Sequence, residues 1–305
     1  MRFVGEAGMT EDRNDKIDLI EKIGQAIGDM LTVAGVGIPA GTIGAAFVRF
    51  FRRRSDRSVL QEAQREARKV FRSPIPSGRL RQAQKASLLR AERGIVPFAG
   101  RDTELAEFRT WFDDKEPMKW RLLTGPSGRG KTRLMQHVVD TFAHERGDRI
   151  LAGFVDLDAI SKFPEALAGF MGHQGDVLLV VDYAERVPKK TAAILKLALA
   201  LEVAELDGAD IRVRVVLITR GLSDVWKQIG IENPDIGEVM DAEDGPFDLE
   251  ELQPLAISPA ARREEFIRAY RAFDREIFPM ASEKGELPSA DEIPDLAPRP
   301  PRDDF

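Results

Sequence analysis

The sequence predicts an α/β fold, a doubly wound parallel sheet, preceded by an all-α N-terminal region. Three observations carry the prediction. Residues 125–132 read Gly-Pro-Ser-Gly-Arg-Gly-Lys-Thr, a full match to G-x-x-x-x-G-K-[ST], between a strand-like run and a helix-like run. Residues 176–182, Asp-Val-Leu-Leu-Val-Val-Asp, are almost unbroken apolar sequence, as a central parallel strand covered on both faces requires. From Gly94 to Phe278 strand-like and helix-like stretches alternate, the pattern of successive right-handed crossovers.

The first element is an amphipathic helix starting near Thr10, with Ile17, Ile20, Ile23, Ile27 and Leu31 at helical spacing. Residues 30–48 then carry no charge and include Gly35, Gly37, Pro39, Gly41 and Gly44; Arg49, Arg52, Arg53 and Arg54 follow. Three readings stand for this run. It is a helical hairpin turning at residues 39–41, a single membrane helix, or an element that inserts into lipid after assembly. Gly24/Gly28 and Gly37/Gly41 allow close helix approach, and thus self-association, in all three. A signal peptide fits poorly, because a charged helix precedes the run and no small-residue cleavage site is evident.

Residues 55–72 continue as a charged helix, and Ser73-Pro74-Ile75-Pro76-Ser77-Gly78 reads as a linker. A basic helix over 79–93 leads to Gly94. The expected division is a helical, apolar effector or membrane-associated region over 1–73, a basic linker and helix over 74–95, and a sheet domain over 96–278. Residues 279–305 form a flexible Pro-rich, acidic tail with no closing turn or cap, so truncation of a longer polypeptide is expected. Within the sheet domain, strands are expected at 119–124, 149–156, 176–182, 211–219 and 249–255. Helices are expected from 131 to 144, after Pro164, and over 189–206 and 258–278.

The 305 residues suffice for about two domains. With no cysteine, disulfides, thiolate metal sites and cysteine nucleophiles are excluded. The three histidines, His137, His144 and His173, share no metal-ligand spacing. The net charge of −6 hides an asymmetry: residues 49–93 hold 14 Lys/Arg against 4 Asp/Glu, while an acidic run spans 232–251. A basic segment behind an apolar one suits an anionic membrane, an acidic partner or plain solvation of a helix face. Stacking aromatics are not interleaved with these charges, so nucleic acid is not an expected partner. The expected partner for residues 30–54 is an anionic membrane, which places the protein in the cytoplasm, at the inner face of the plasma membrane.

The chemistry centres on the 125–132 loop. Glycines there let backbone N–H groups wrap phosphates, and the following helix adds the positive end of its dipole. Gly125, Pro126, Ser127, Gly128, Arg129, Gly130, Lys131, Thr132 and Arg133 are therefore the expected nucleotide contacts, with Lys131 on the terminal phosphates and Thr132 on Mg²⁺. Asp182 ends the apolar strand, where a carboxylate can hold a Mg²⁺-bound water. Tyr183 follows it, so the nearest candidate base is Glu185, which can equally be a bystander. Arg220 ends the 211–219 strand and can meet charge on the γ-phosphate, or simply cap the strand.

Taken together, Phe98-Ala99-Gly100-Arg101-Asp102-x-Glu104-Leu105, the phosphate loop, Val180-Val181-Asp182-Tyr183-Ala184-Glu185 and Ile218-Thr219-Arg220 resemble the STAND class of P-loop ATPases, relatives of the AAA+ and NLR-type ATPases. The resemblance covers residues 96–278. It implies a P-loop NTPase sheet, an ADP-bound resting monomer, an ATP-bound homo-oligomer, an N-terminal effector and a C-terminal repeat sensor. By position it implies Arg101 on the adenine or ribose side, Lys131, Thr132 and Asp182 at phosphate and Mg²⁺, and Arg220 at the γ-phosphate. Three departures stand out: no acid directly after Asp182, no winged-helix region after Phe278, and no repeats. The function expected is thus a slowly hydrolysing ATP/ADP switch in bacterial defence or signalling. A mechanical AAA+-like ATPase and a membrane-tethered nucleotide scaffold are the alternatives.

Overall fold

Five strands form one wholly parallel sheet: β1 (Met118–Thr124), β2 (Ile150–Phe154), β3 (Asp176–Asp182), β4 (Val213–Ile218) and β5 (Phe247–Glu251). Their order across the sheet is β2-β3-β4-β1-β5. In this computed structural model the described residues are 57–72, 93–159, 166, 169–170, 173, 175–205, 212–221, 224–242, 247–255 and 258–277. The expectations for residues 1–56, the 73–92 linker and basic helix, most of the short helix after Pro164, and the 279–305 tail lie outside them.

The helices in chain order are α1 (Arg57–Arg68), α2 (Asp102–Phe112), α3 (Lys131–Arg146), α4 (Pro188–Glu205), α5 (Asp224–Glu232), α6 (Pro234–Asp241) and α7 (Pro259–Ile277). No described helix is long and apolar enough to cross a membrane.

Every residue of β3 and β4 is buried, which is why both read as continuous apolar runs. The exception inside them is Arg214, fully buried in β4. Its guanidinium donates to the carbonyls of Phe112 (3.2 Å), Asp114 (2.8 Å), Pro117 (3.3 Å) and Val213 (3.0 Å), so a charge is tolerated where hydrocarbon would be expected. At the β5 edge, Arg121 of β1 reaches Glu250 at 2.7 Å and Asp248 at 3.3 Å, and lies over the Phe108 and Trp111 rings.

Contacts divide the chain into two units: residues up to Ser73 with Glu104–Gln253, and Pro74–Thr103 with the chain from Pro254 onward. The end of α1 belongs to the sheet: Ala67 and Val70 are fully buried in its apolar core, and the Phe71 ring meets Phe170 edge-on. Residues 70–72 run antiparallel to the end of β2 through a Phe71–Val155 bridge, with Arg72 N–H donating to Phe154 O and Asp156 N–H to Val70 O, both at 2.7 Å. The second unit holds α7, whose first turn is capped by Ser258 Oγ accepting from Ala261 N–H at 3.1 Å, with Pro259 as its first residue.

One further difference is physical. The acidic run from Glu232, where no helix is expected from the sequence, contains α6, packed on α5. The two helices approach so closely that a Cβ on Gly237 would lie 2.9 Å from Gly230 O.

Candidate functional site

Because the sheet is parallel, the chain leaves β1, β3 and β4 at one edge, and Leu123, Ile218 and Asp182 stand in register there. The position is also a switch point: β1 is flanked by β4 on one side and β5 on the other, so the crossovers diverge from it. Open α/β sheets bind ligands at such crevices.

Residues 125–130 leave β1 and enter α3 at Lys131. Gly125 has φ 129°, and a Cβ there would sit 3.2 Å from Leu252 O. Gly130 has φ 88° as the residue preceding the helix, a conformation that disfavours any side chain although there is room for one. The loop's sequence is thus set by backbone geometry as well as by ligand chemistry.

Lys131 is buried, and its ammonium donates to Gly125 O and, at 3.0 Å, to Pro126 O. Burial lowers its pKa; Asp182 and then Glu185 oppose that shift, while Arg220 and Arg129 add to it. Four side chains singled out in the sequence therefore act electrostatically on one ammonium. Thr132 donates from Oγ1 to Asp182 Oδ2 at 3.2 Å, closing a bridge between α3 and β3. Asp182 is buried, and its other oxygen accepts the Tyr183 N–H at 3.0 Å.

Tyr183 adopts the left-handed conformation (φ 57°, ψ 42°) and turns the chain into a short 3₁₀ helix over Ala184–Arg186. That turn places Glu185, whose Oε2 is buried and has no protein hydrogen-bond partner. Thr219, directly after β4, is buried, its hydroxyl donating to Gly221 O at 3.0 Å, so the turn carrying Arg220 is fixed from within. The Arg220 and Arg186 guanidinium carbons lie 5.5 and 4.9 Å from the Tyr183 ring centroid.

The remaining expected contacts divide. Arg129 acts on Lys131, whereas Arg133 is half-buried on α3, its pKa lowered by that burial against the Asp140 carboxylate. Pro126, Ser127 and Gly128 are exposed at the loop tip. Arg101 is buried and belongs to the second unit, just before α2. Sequence reasoning missed Arg186 and the aromatic role of Tyr183; the only available signal was an aromatic with two nearby arginines, one of them distant in sequence.

The arrangement is the strand–loop–helix of a P-loop NTPase fold. Among the described residues no group of three or more His, Asp or Glu is placed to hold a metal ion. A magnesium ion carried on a nucleotide draws most of its oxygens from phosphate and water, so the Thr132–Asp182 pair fits what the protein must supply.

No family model matches the chain, and no curated protein matches it. Among solved structures it is similar to the ORC2 protein of Aeropyrum pernix (ADPNP-ADP complexes), at 14% identity and TM-score 0.40, over 60% of this chain and 55% of that one. It is also similar to a DNA replication initiation factor at 15% identity and TM-score 0.35, over 55% of this chain and 50% of that one. The chain thus spans about half the length of each. Likeness at this level does not carry a function from those proteins to this one.

Proposed function

We propose that this chain is a P-loop ATPase of the STAND type, which binds ATP with Mg²⁺, hydrolyses it slowly and uses the bound nucleotide as a switch. The observation that carries the reading is the convergence of Lys131, Thr132 and Asp182 at one sheet edge, with Thr132 and Asp182 hydrogen-bonded at 3.2 Å. Lys131 would exchange its two loop carbonyls for phosphate oxygens, and Thr132 and Asp182 would hold the magnesium. The ion's contribution when bound is to screen the charge of the triphosphate. Backbone N–H groups of residues 125–132 would line the phosphates, with the α3 dipole behind them.

Slow turnover follows from the residues after Asp182. The position directly after it holds Tyr183 rather than a carboxylate. Glu185 lies close enough to act on Lys131, and its bare Oε2 suits holding a water. The output in this reading is the N-terminal region, with residues 30–54 meeting anionic lipid at the inner face of the plasma membrane when ATP-bound copies cluster. The setting proposed is bacterial defence or signalling.

A mechanical AAA+-like ATPase is the second reading. The buried carboxylate oxygen of Glu185 favours it, since an efficient hydrolase needs such a group. Turnover and nucleotide affinity of Glu185→Gln separate the two, alongside size by light scattering with ATP, ADP and anionic liposomes. Turnover lost with binding kept makes Glu185 the base. Unchanged slow turnover with ATP-dependent assembly supports the switch. Constant size in every nucleotide state, with brisk hydrolysis, refutes it.

A further inference from the structure

Tyr183 is the single non-glycine residue with positive φ among the described residues. A glycine would occupy this left-handed position without steric penalty. The residue is 41% exposed, so core packing does not account for its presence. The backbone on either side is pinned: Tyr183 N–H donates to Asp182 Oδ1 at 3.0 Å, and Tyr183 O accepts the Arg186 N–H at 2.9 Å. The ring therefore projects from a fixed mount, next to the carboxylate paired with Thr132.

What the ring touches is cationic. The guanidinium carbons of Arg186 and Arg220 both lie within cation–π reach of it, at 4.9 and 5.5 Å. These arginines come from different strand ends, the 3₁₀ turn after β3 and the turn after β4. Two like charges on one ring repel each other, so the ring is what keeps them together until an anion arrives. Thr219 fixes the backbone of the second turn, but Arg220 itself is exposed, and a long exposed side chain samples many rotamers unless something holds it.

We propose that Tyr183 is a positioning residue for Arg220: its ring holds the guanidinium beside the Lys131–Asp182 centre, where it senses whether the nucleotide carries a γ-phosphate. Arg186 shares the ring from the other strand end. The proposal rests on the nucleotide reading above and deepens it, assigning discrimination between tri- and diphosphate to an aromatic where an acid was expected.

The test is the ratio of ATP to ADP affinity, each measured calorimetrically with Mg²⁺ on the full chain. Tyr183→Gly suits the backbone conformation, so the variant folds, which thermal unfolding verifies. It shifts the ratio toward ADP by about two- to fivefold, the size of a lost cation–π contact. Tyr183→Phe keeps the ring and keeps the ratio. Arg220→Gln shifts the ratio as well, and adding Tyr183→Gly to it changes nothing further, because one residue acts through the other.

A second readout is independent of affinity. The chain has two tyrosines, so 3-fluorotyrosine labelling gives two ¹⁹F signals. Tyr183→Phe identifies one of them, and that signal moves in Arg220→Gln. Additive effects of Tyr183→Gly and Arg220→Gln, or a Tyr183→Gly protein with an unchanged ratio, overturn the proposal while leaving the nucleotide site intact. A wild-type chain that binds neither nucleotide removes the site reading, and the proposal with it.

Discussion

Replacing Arg214 by methionine sets two opposed terms against each other at the amino-terminal end of β4. The guanidinium is fully buried, and burial lowers its pKa to about 10, helped by the nearby charge of Arg212. Such a depression disfavours the charged form by roughly 3 kcal/mol. Since the folded-state value lies below the unfolded one, this penalty is present throughout the neutral range and is relieved only as pH rises past about 10. Methionine has no such penalty. Against it stand the carbonyls that the guanidinium serves. Pro117 O also accepts the Val213 N–H, but Phe112 O and Asp114 O lose this donor. Stripping these two carbonyls of a donor, one buried and one partly buried, costs about 2–6 kcal/mol at most. Loss of ring contacts with Trp111 and Phe112, at 5.9 and 6.0 Å, adds about 1 kcal/mol or more. The balance predicts that Arg214→Met is destabilised by about 0–4 kcal/mol, read as a lower urea midpoint at unchanged slope. Nucleotide affinity should not change, because the phosphate loop lies at the opposite edge of the sheet. A higher midpoint would refute the reasoning, showing that desolvation of the cation outweighs the hydrogen bonds it makes.

The remaining expectations concern the site. Lys131 loses its proton at a lower pH than free lysine, so ATP affinity should be level near neutrality and fall as pH rises through that lowered value, up to about tenfold per pH unit. Calorimetry between neutral and alkaline pH checks this, and Lys131→Ala should bind weakly with no such slope. Asp182→Asn keeps the shape but not the charge, so the gain in ATP affinity on adding Mg²⁺ should drop by at least about tenfold, compared in Mg²⁺ and in EDTA.

The sheet and the phosphate loop were legible in the sequence because their constraints are local. A strand buried on both faces must be apolar along its length, as residues 177–181 are. A loop that wraps phosphate and then starts a helix must carry glycines at positive-φ positions, as Gly125 and Gly130 do. What stayed hidden depends on partners distant in sequence. Helices α5 and α6 were obscured by Gly230 and Gly237, which weaken helix propensity but let the two helices meet at backbone distance. Arg214 reads as a polar interruption until the Phe112, Asp114 and Pro117 carbonyls are seen around it. The packing of α1 was obscured because it looks like the end of a charged helical region, yet Ala67 and Val70 are core residues of the sheet. In the site, Lys131, Thr132 and Asp182 follow from motif and spacing. The ring that gathers Arg186 and Arg220 is visible only once the ends of β3 and β4 lie side by side.

The antiparallel clasp of residues 70–72 on the end of β2 has a mechanical consequence. Val155, its bridge partner, donates its N–H to Val180 O at 2.8 Å, and Val180 stands two residues before Asp182 on the same strand. A pull on the chain upstream of residue 57 is therefore delivered, through α1 and a few backbone hydrogen bonds, to the strand that ends in Asp182. The strap must either let go or carry its load into that strand, which makes the clasp a stiff linkage rather than a slack tether between the N-terminal segment and the phosphate loop.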